Sequence, residues 1–139
     1  MTADEIADQI VAVFNALTNQ EFSFTAEKPV VLATVEAERS DCGVYVIAKD
    51  EQEEAIGDQG DTCKRTRIVS VAVNGPIRDQ FTLAKYLKQC EALRQALEGT
   101  EFSGYRWDRN EVLSLWDREA LHIRNRFLAL FETTYYTFS

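Results

Sequence analysis

The sequence predicts an α+β fold: a single mixed or antiparallel β-sheet of about four to six strands, with two main α-helices packed on one face. Three observations point to it. Two stretches, 4–17 and 79–98, carry apolar residues at helical spacing. Three runs, 44–48, 67–73 and 126–138, are rich in β-branched and aromatic residues. The chain has 139 residues, 45% of them hydrophobic, which suits one domain built around one core.

In the first helix, Ile6, Ile10, Val13, Phe14 and Leu17 share a face, and Asp4, Glu5 and Asp8 favour its N-terminal dipole. Asn19 is the expected stop, and 21–25 reads as a short extended piece. Pro29 opens an extended run over 30–38, the stretch 39–43 is a turn, and 44–48 is the next strand. The run 67–73 is apolar on both faces, as a central strand is. Asn74-Gly75-Pro76 is a turn. The second helix places Leu83, Tyr86, Leu87, Cys90, Leu93 and Leu97 on one stripe, with Asp79 as N-cap and Gly99 just past its end. Short strands follow at 104–108 and 112–116. One helical turn capped by Asp117 covers 117–122, and a long aromatic strand, 126–138, closes the sequence. Trp-Asp-Arg occurs at Trp107 and again at Trp116, a spacing far below that of a propeller blade.

Charge separates along the chain. The formal net charge is −8, yet 62–139 carries more Lys and Arg than Asp and Glu, so the first 61 residues hold the excess of acid. An acidic surface repels phosphate and disfavours DNA binding as the main task. A subunit acidic at one place and basic at another can attract its own copies head to tail, the contact that closes rings or grows filaments. The alternative is that folding intermixes the two signs.

Sites of catalysis are hard to find. The one histidine, His122, lies among Leu121, Ile123 and basic residues without a nucleophile or ligand pattern, and reads as structural. Neither phosphate-cradling glycine motif is present. Cys42, Cys63 and Cys90 are an odd, widely spaced set that reads as reduced thiols, with Cys42 and Cys90 buried. No cofactor, catalytic residue or metal ligand is expected. The acidic start and the lack of a long apolar run imply a chain that folds in a cytosol, with no membrane partner.

The segment 49–66 reads as a long charged loop between two strands. Asp50, Glu51, Glu53, Glu54, Asp58 and Asp61 come first, then Lys64, Arg65 and Arg67. A calcium loop starting at Asp50 would need glycine at its sixth position and glutamate at its twelfth, where Ala55 and Asp61 stand. Crowded like charges favour a solvated loop, and connections past about 12 residues are commonly functional or disordered. These nine residues are therefore the candidate contacts to another subunit or a partner. Deleting 51–60 is expected to spare the fold and abolish assembly.

The ending is distinctive: Trp116-Asp117-Arg118-Glu119-Ala120-Leu121, then Phe127-Leu128-Ala129-Leu130-Phe131-Glu132-Thr133-Thr134-Tyr135-Tyr136. A short acidic turn with a leucine precedes a phenylalanine-led strand that ends in aromatics. With the order of elements before it, this resembles the tail terminator and tail-completion proteins of tailed bacteriophages. No functional residue is carried over from that resemblance. It implies a non-enzymatic virion protein of the tail or neck, assembled in the bacterial host cytoplasm. It implies a self-assembled ring, a hexamer in the commonest form, that caps the tail tube, ends its polymerisation and offers a docking surface to the head or neck. The implied partners are further copies of the chain, the tail tube protein and a neck or head-completion protein. Genomic DNA would pass the lumen without sequence-specific binding. The alternatives are a head-completion or neck connector ring, a small acidic cytosolic adaptor, and an enzyme using the acidic loop with a divalent metal.

Overall fold

The structure, a computed structural model, describes residues 1–17, 25–29, 43–57 and 60–139. The expected strand at 30–38, the turn over 39–42, the stop at Asn19, Cys42 and Asp58 lie outside the described residues.

The fold is α+β, with three helices and one mixed six-stranded sheet among the described residues. Helix α1 is Ala3–Asn15, followed by strands β1 (Thr25–Glu27), β2 (Gly43–Ile56) and β3 (Thr62–Pro76). Helix α2 is Gln80–Leu97, then come β4 (Glu101–Phe102), β5 (Tyr105–Ser114), α3 (Arg118–Arg124) and β6 (Arg126–Phe138). The spatial order is β1-β2-β3-β6-β5-β4, and only the β1–β2 pair is parallel. The apolar strand β3 is therefore central, as its two-sided hydrophobicity predicts, but Asn74-Gly75-Pro76 is not the expected turn: it continues β3, paired with Leu128, Phe127 and Arg126 of β6.

Helix boundaries follow their caps. Thr2 Oγ1 accepts from the Glu5 amide at 3.1 Å, and Asp79 Oδ1 from the Thr82 amide at 2.8 Å. Asp117 Oδ1 accepts from the Ala120 amide at 2.9 Å, so the second Trp-Asp-Arg begins a helix while the first lies in β5. The two short strands expected at 104–108 and 112–116 are one strand, β5, with register shifts after Trp107 and after Val112. An irregular strand breaks the period-two pattern, which is why the sequence shows two pieces.

The core alternates along the strands. Val44 faces Val73 and Val46 faces Val71 across β2–β3, and Phe131 faces Val71 across β3–β6. These side chains form one buried cluster with Ile6, Ile10 and Phe14 of α1 and Tyr86, Cys90, Leu93 and Leu97 of α2. Gly75 is where this packing is closest. A Cβ there would meet the Tyr86 ring, which stacks on Phe127 at 4.8 Å while its hydroxyl donates to the Pro76 carbonyl at 3.1 Å. Tyr45, Ala72, Ile47 and Leu130 make a smaller cluster among themselves. Cys90 is buried and Cys63 half-buried.

The long charged loop expected over 49–66 is not a loop. Strand pairing between β2 and β3 continues without a break in partners from Asp50↔Ile68 to Ile56↔Thr62. The connection is confined to 57–61, where Gly57 and Gly60 take positive φ values of 91° and 65° that glycine adopts readily. Two causes extend the strands. Three of the four acids of β2 face a base of β3: Glu51 opposes Arg67, Glu53 opposes Arg65 and Glu54 opposes Lys64, while Asp50 opposes Ile68, and opposite charges across a ladder each contribute roughly 0.2–1 kcal/mol. On its other side β3 is held by β6 as far as Lys64↔Phe138, and beyond it by a reciprocal pair of backbone bonds between Cys63 and Ser139, both 2.9 Å.

Candidate functional site

The charged hairpin has a base that is fixed and a far end that is open. Its geometry starts at the register shift between Ala48 and Asp50, which leaves Lys49 as the extra residue. Lys49 pairs with Glu132 of β6, a largely buried carboxylate that requires a cation. The extra residue also shifts the alternation of side chains by one. Ala48 is opposite Val69 before it, and Glu51 is opposite Arg67 after it. Glu51, Glu53, Arg65 and Arg67 thereby continue the face on which the valines lie.

That placement ties the base of the hairpin to α1. Glu51 Oε1 accepts from the Ala3 amide at 2.7 Å, so a strand carboxylate satisfies a free donor of the helix N-terminus. Arg67 is 6% exposed. Its Nε donates to the Met1 carbonyl at 3.1 Å, its Nη1 to the Thr66 carbonyl at 3.1 Å, and its guanidinium lies over the Tyr105 ring at 5.5 Å. Glu51 and Glu53 stand 3.8 and 3.6 Å from it. These are contacts within the chain, and neither Glu51 nor Arg67 is at liberty to meet a partner. Deleting 51–60 would therefore remove an anchor of α1 as well as the arm, which corrects the expectation that the fold ignores that segment.

Beyond this anchor the hairpin is open. Asp50, Glu53, Glu54 and Asp61 are exposed, as is Arg65, whereas Lys64 is half-buried and Arg67 buried. Lys64 Nζ lies over the Tyr136 ring at 5.4 Å, and Arg65 Nε is 3.9 Å from Glu53. The Arg65 guanidinium is held above its usual range, first by a hydrogen bond with Cys63 and then by Glu53. Asp50 is engaged locally, accepting from the Glu51 amide at 2.9 Å and from Gln52 Nε2 at 3.0 Å. Glu53 and Glu54, pointing to opposite faces, are the two carboxylates best presented to an outside partner. Among the described residues, no strand pairs with the outer edge of β2 beyond Tyr45.

Among the described residues the hairpin offers no preformed metal cage. Alternation sends Glu51 and Glu53 to one face and Asp50 and Glu54 to the other. Among the described residues, no group of three or more His, Cys, Asp or Glu side chains is placed to hold an ion. His122 is exposed in the last turn of α3.

Sequence reasoning missed the other end of the sheet. There Phe81 at the start of α2 is 79% exposed and Ile123 of α3 is 73% exposed, with Leu113 and Leu115 at 45% and 46%. Phe81 and Ile123 belong to no helical stripe, and Leu113 and Leu115 lie where β5 loses its register, so periodicity does not mark them as exposed. Beside them α3, β6 and the turn before α3 enclose a cleft of about 170 Å³ lined by Asp117, Glu119, Ala120, Arg124 and Leu128. No helix among the described residues is long and apolar enough to cross a membrane. No protein-family model and no curated protein matches the chain.

Proposed function

We propose that the chain is a structural virion protein that assembles into a ring, six copies in the favoured form, on the end of a phage tail tube. The ring ends tube polymerisation and gives the neck or head-completion protein a surface to dock on. No residue is assigned a catalytic role, and DNA passes through the ring without sequence-specific contacts.

The observation that carries this reading is the construction of the hairpin. Strand β3 has 15 residues, roughly twice to three times the usual strand. At about 3.3 Å per residue it spans roughly 45 Å. Only its half near Pro76 lies in the apolar core; the half near Thr62 carries bases and pairs with the distal half of β2, whose exposed acids lie on the edge beyond Tyr45. Beyond Arg67 such an extension adds little burial within one domain, whereas it gives a subunit a surface for touching neighbours. The order of elements, ending in an aromatic strand after a short capped turn, supports the same reading through the resemblance already described.

The test is native mass spectrometry across protein concentration, followed by negative-stain imaging with tail tubes. A closed oligomer, six copies above all, that decorates tube ends is the expected result. A chain monomeric at every concentration, which also leaves tube ends bare, contradicts the reading and moves weight to an acidic adaptor.

A further inference from the structure

The ring reading leaves open which surface receives the arm, and the structure carries a candidate at the opposite end of the sheet. Three contacts define that end. Pro76 pairs with Arg126 at the limit of the β3–β6 ladder. The Ile77 amide donates to the Asn125 carbonyl at 2.9 Å, joining the approach to α2 to the end of α3. The Asp117 amide donates to the Leu128 carbonyl at 2.8 Å, joining the end of β5 to the start of β6. The exposed Phe81, Leu113, Leu115 and Ile123 are thus gathered at the end where the hairpin tip is not.

Three cations that complement the exposed acid of the arm stand among them. Arg78, Arg118 and Arg124 are exposed. Asp79 and Asp117, their acidic neighbours, are engaged as N-caps, and the Thr82 amide and hydroxyl hold Asp79 below the usual carboxylate range. Asp79 and Glu119 are the exposed acids of this group, and Asp117 is half-buried. An apolar surface with a cationic rim fits a partner that brings acid on a narrow element, and the distal half of β2 is such an element.

We infer that the end formed by α3 and the start of α2 is the docking surface for the acidic hairpin of a second copy of this chain. The inference rests on the ring reading and names its interface. Because the two surfaces lie at opposite ends of one subunit, the contact is head to tail, the geometry that leaves no free surface only when a ring closes. Glu53 and Glu54 meet the rim of Arg78, Arg118 and Arg124, while the exposed apolar residues lose water contact.

Two variants test it. Glu53→Lys with Glu54→Lys reverses the arm, and Arg78→Glu with Arg118→Glu and Arg124→Glu reverses the receiving end. Sedimentation velocity is run on each alone and on an equimolar mixture, with thermal melts to establish that both fold. Each variant alone is expected to associate roughly tenfold or more weakly than wild type, since like charges then oppose. The mixture is expected to restore assembly, with the two variants alternating and only even-numbered oligomers formed. Variants that fold and still assemble like wild type, or a mixture that stays dissociated, overturn this interface while leaving the ring reading in place. A wild-type chain that never associates overturns both.

Discussion

Along the β2–β3 ladder, the half beside Pro76 and the half beside Gly60 share one hydrogen-bonding pattern and differ in everything their side chains do. In the first half Val44, Val46, Val69, Val71 and Val73 are buried in one cluster with residues of α1 and α2, and the pairing is stabilised by removal of apolar surface from water. In the second half opposite charges face each other in water, where each pair contributes little. The change occurs at Lys49 and its register shift, and the Glu51–Arg67 pair on the far side of it still belongs to the fold through α1. One continuous hairpin is thus a core element for part of its length and a presented element for the rest. Strand length therefore says little about core size.

The comparison can be broken most forcefully from the core side. Phe131→Ala removes a side chain that is 1% exposed at the centre of the cluster, and is expected to cost about 3–5 kcal/mol in urea unfolding. Arg67→Ala acts at the boundary. It removes the donor to the Met1 carbonyl and the cover over Tyr105, and should cost about 2 kcal/mol, with α1 amides exchanging hydrogen faster. If Arg67→Ala behaves like an exposed substitution instead, the boundary lies nearer Lys49 than drawn.

Tyr135 sharpens the comparison through pH. Burial pushes its phenol up to about 12, against the smaller opposing effect of its hydrogen bonds, and its hydroxyl sits 2.6 Å from Thr100 Oγ1. A group whose folded value is raised contributes stability that is complete below the unfolded value of about 10 and disappears as pH climbs to the folded value. The chain should lose on the order of 2 kcal/mol between about pH 10 and 12 from this residue. Tyr135→Phe should remove that part of the alkaline slope while leaving the slope below it unchanged. The smallest expected effect belongs to the arm: Glu53→Lys with Glu54→Lys should cost about 1 kcal/mol or less, since both carboxylates are exposed.

Much of this fold is legible in the residues. Asp79, Asp117 and the Leu93–Leu97 stripe announce their helices, and the run 126–138 coincides with β6. These segments follow local rules of capping and periodicity. The hairpin does not, because Asp, Glu and Lys have poor strand propensity and crowd like charges along one strand. What stabilises it is a relation between distant residues. Yet the relation is written in the sequence: Glu51 with Arg67, Glu53 with Arg65 and Glu54 with Lys64 are each equidistant from position 59. Charge of opposite sign mirrored about a glycine-flanked centre is a hairpin register, and reading the segment only for its density of charge hides it. The exposed end at Phe81 and Ile123 is different, since nothing local marks it. It emerges only when pairing brings the end of β3, the start of β6 and α3 together.

The most direct measurement takes the full chain and its Glu53→Lys, Glu54→Lys variant and records native mass and thermal unfolding on the same preparations. The account predicts a closed oligomer for the wild type, and a variant that melts within a few degrees of it, roughly the shift that about 1 kcal/mol produces, yet is monomeric. A variant that keeps the oligomer, or one that loses assembly only because it unfolds, contradicts the claim that the distal hairpin is built for neighbours and the proximal one for the core.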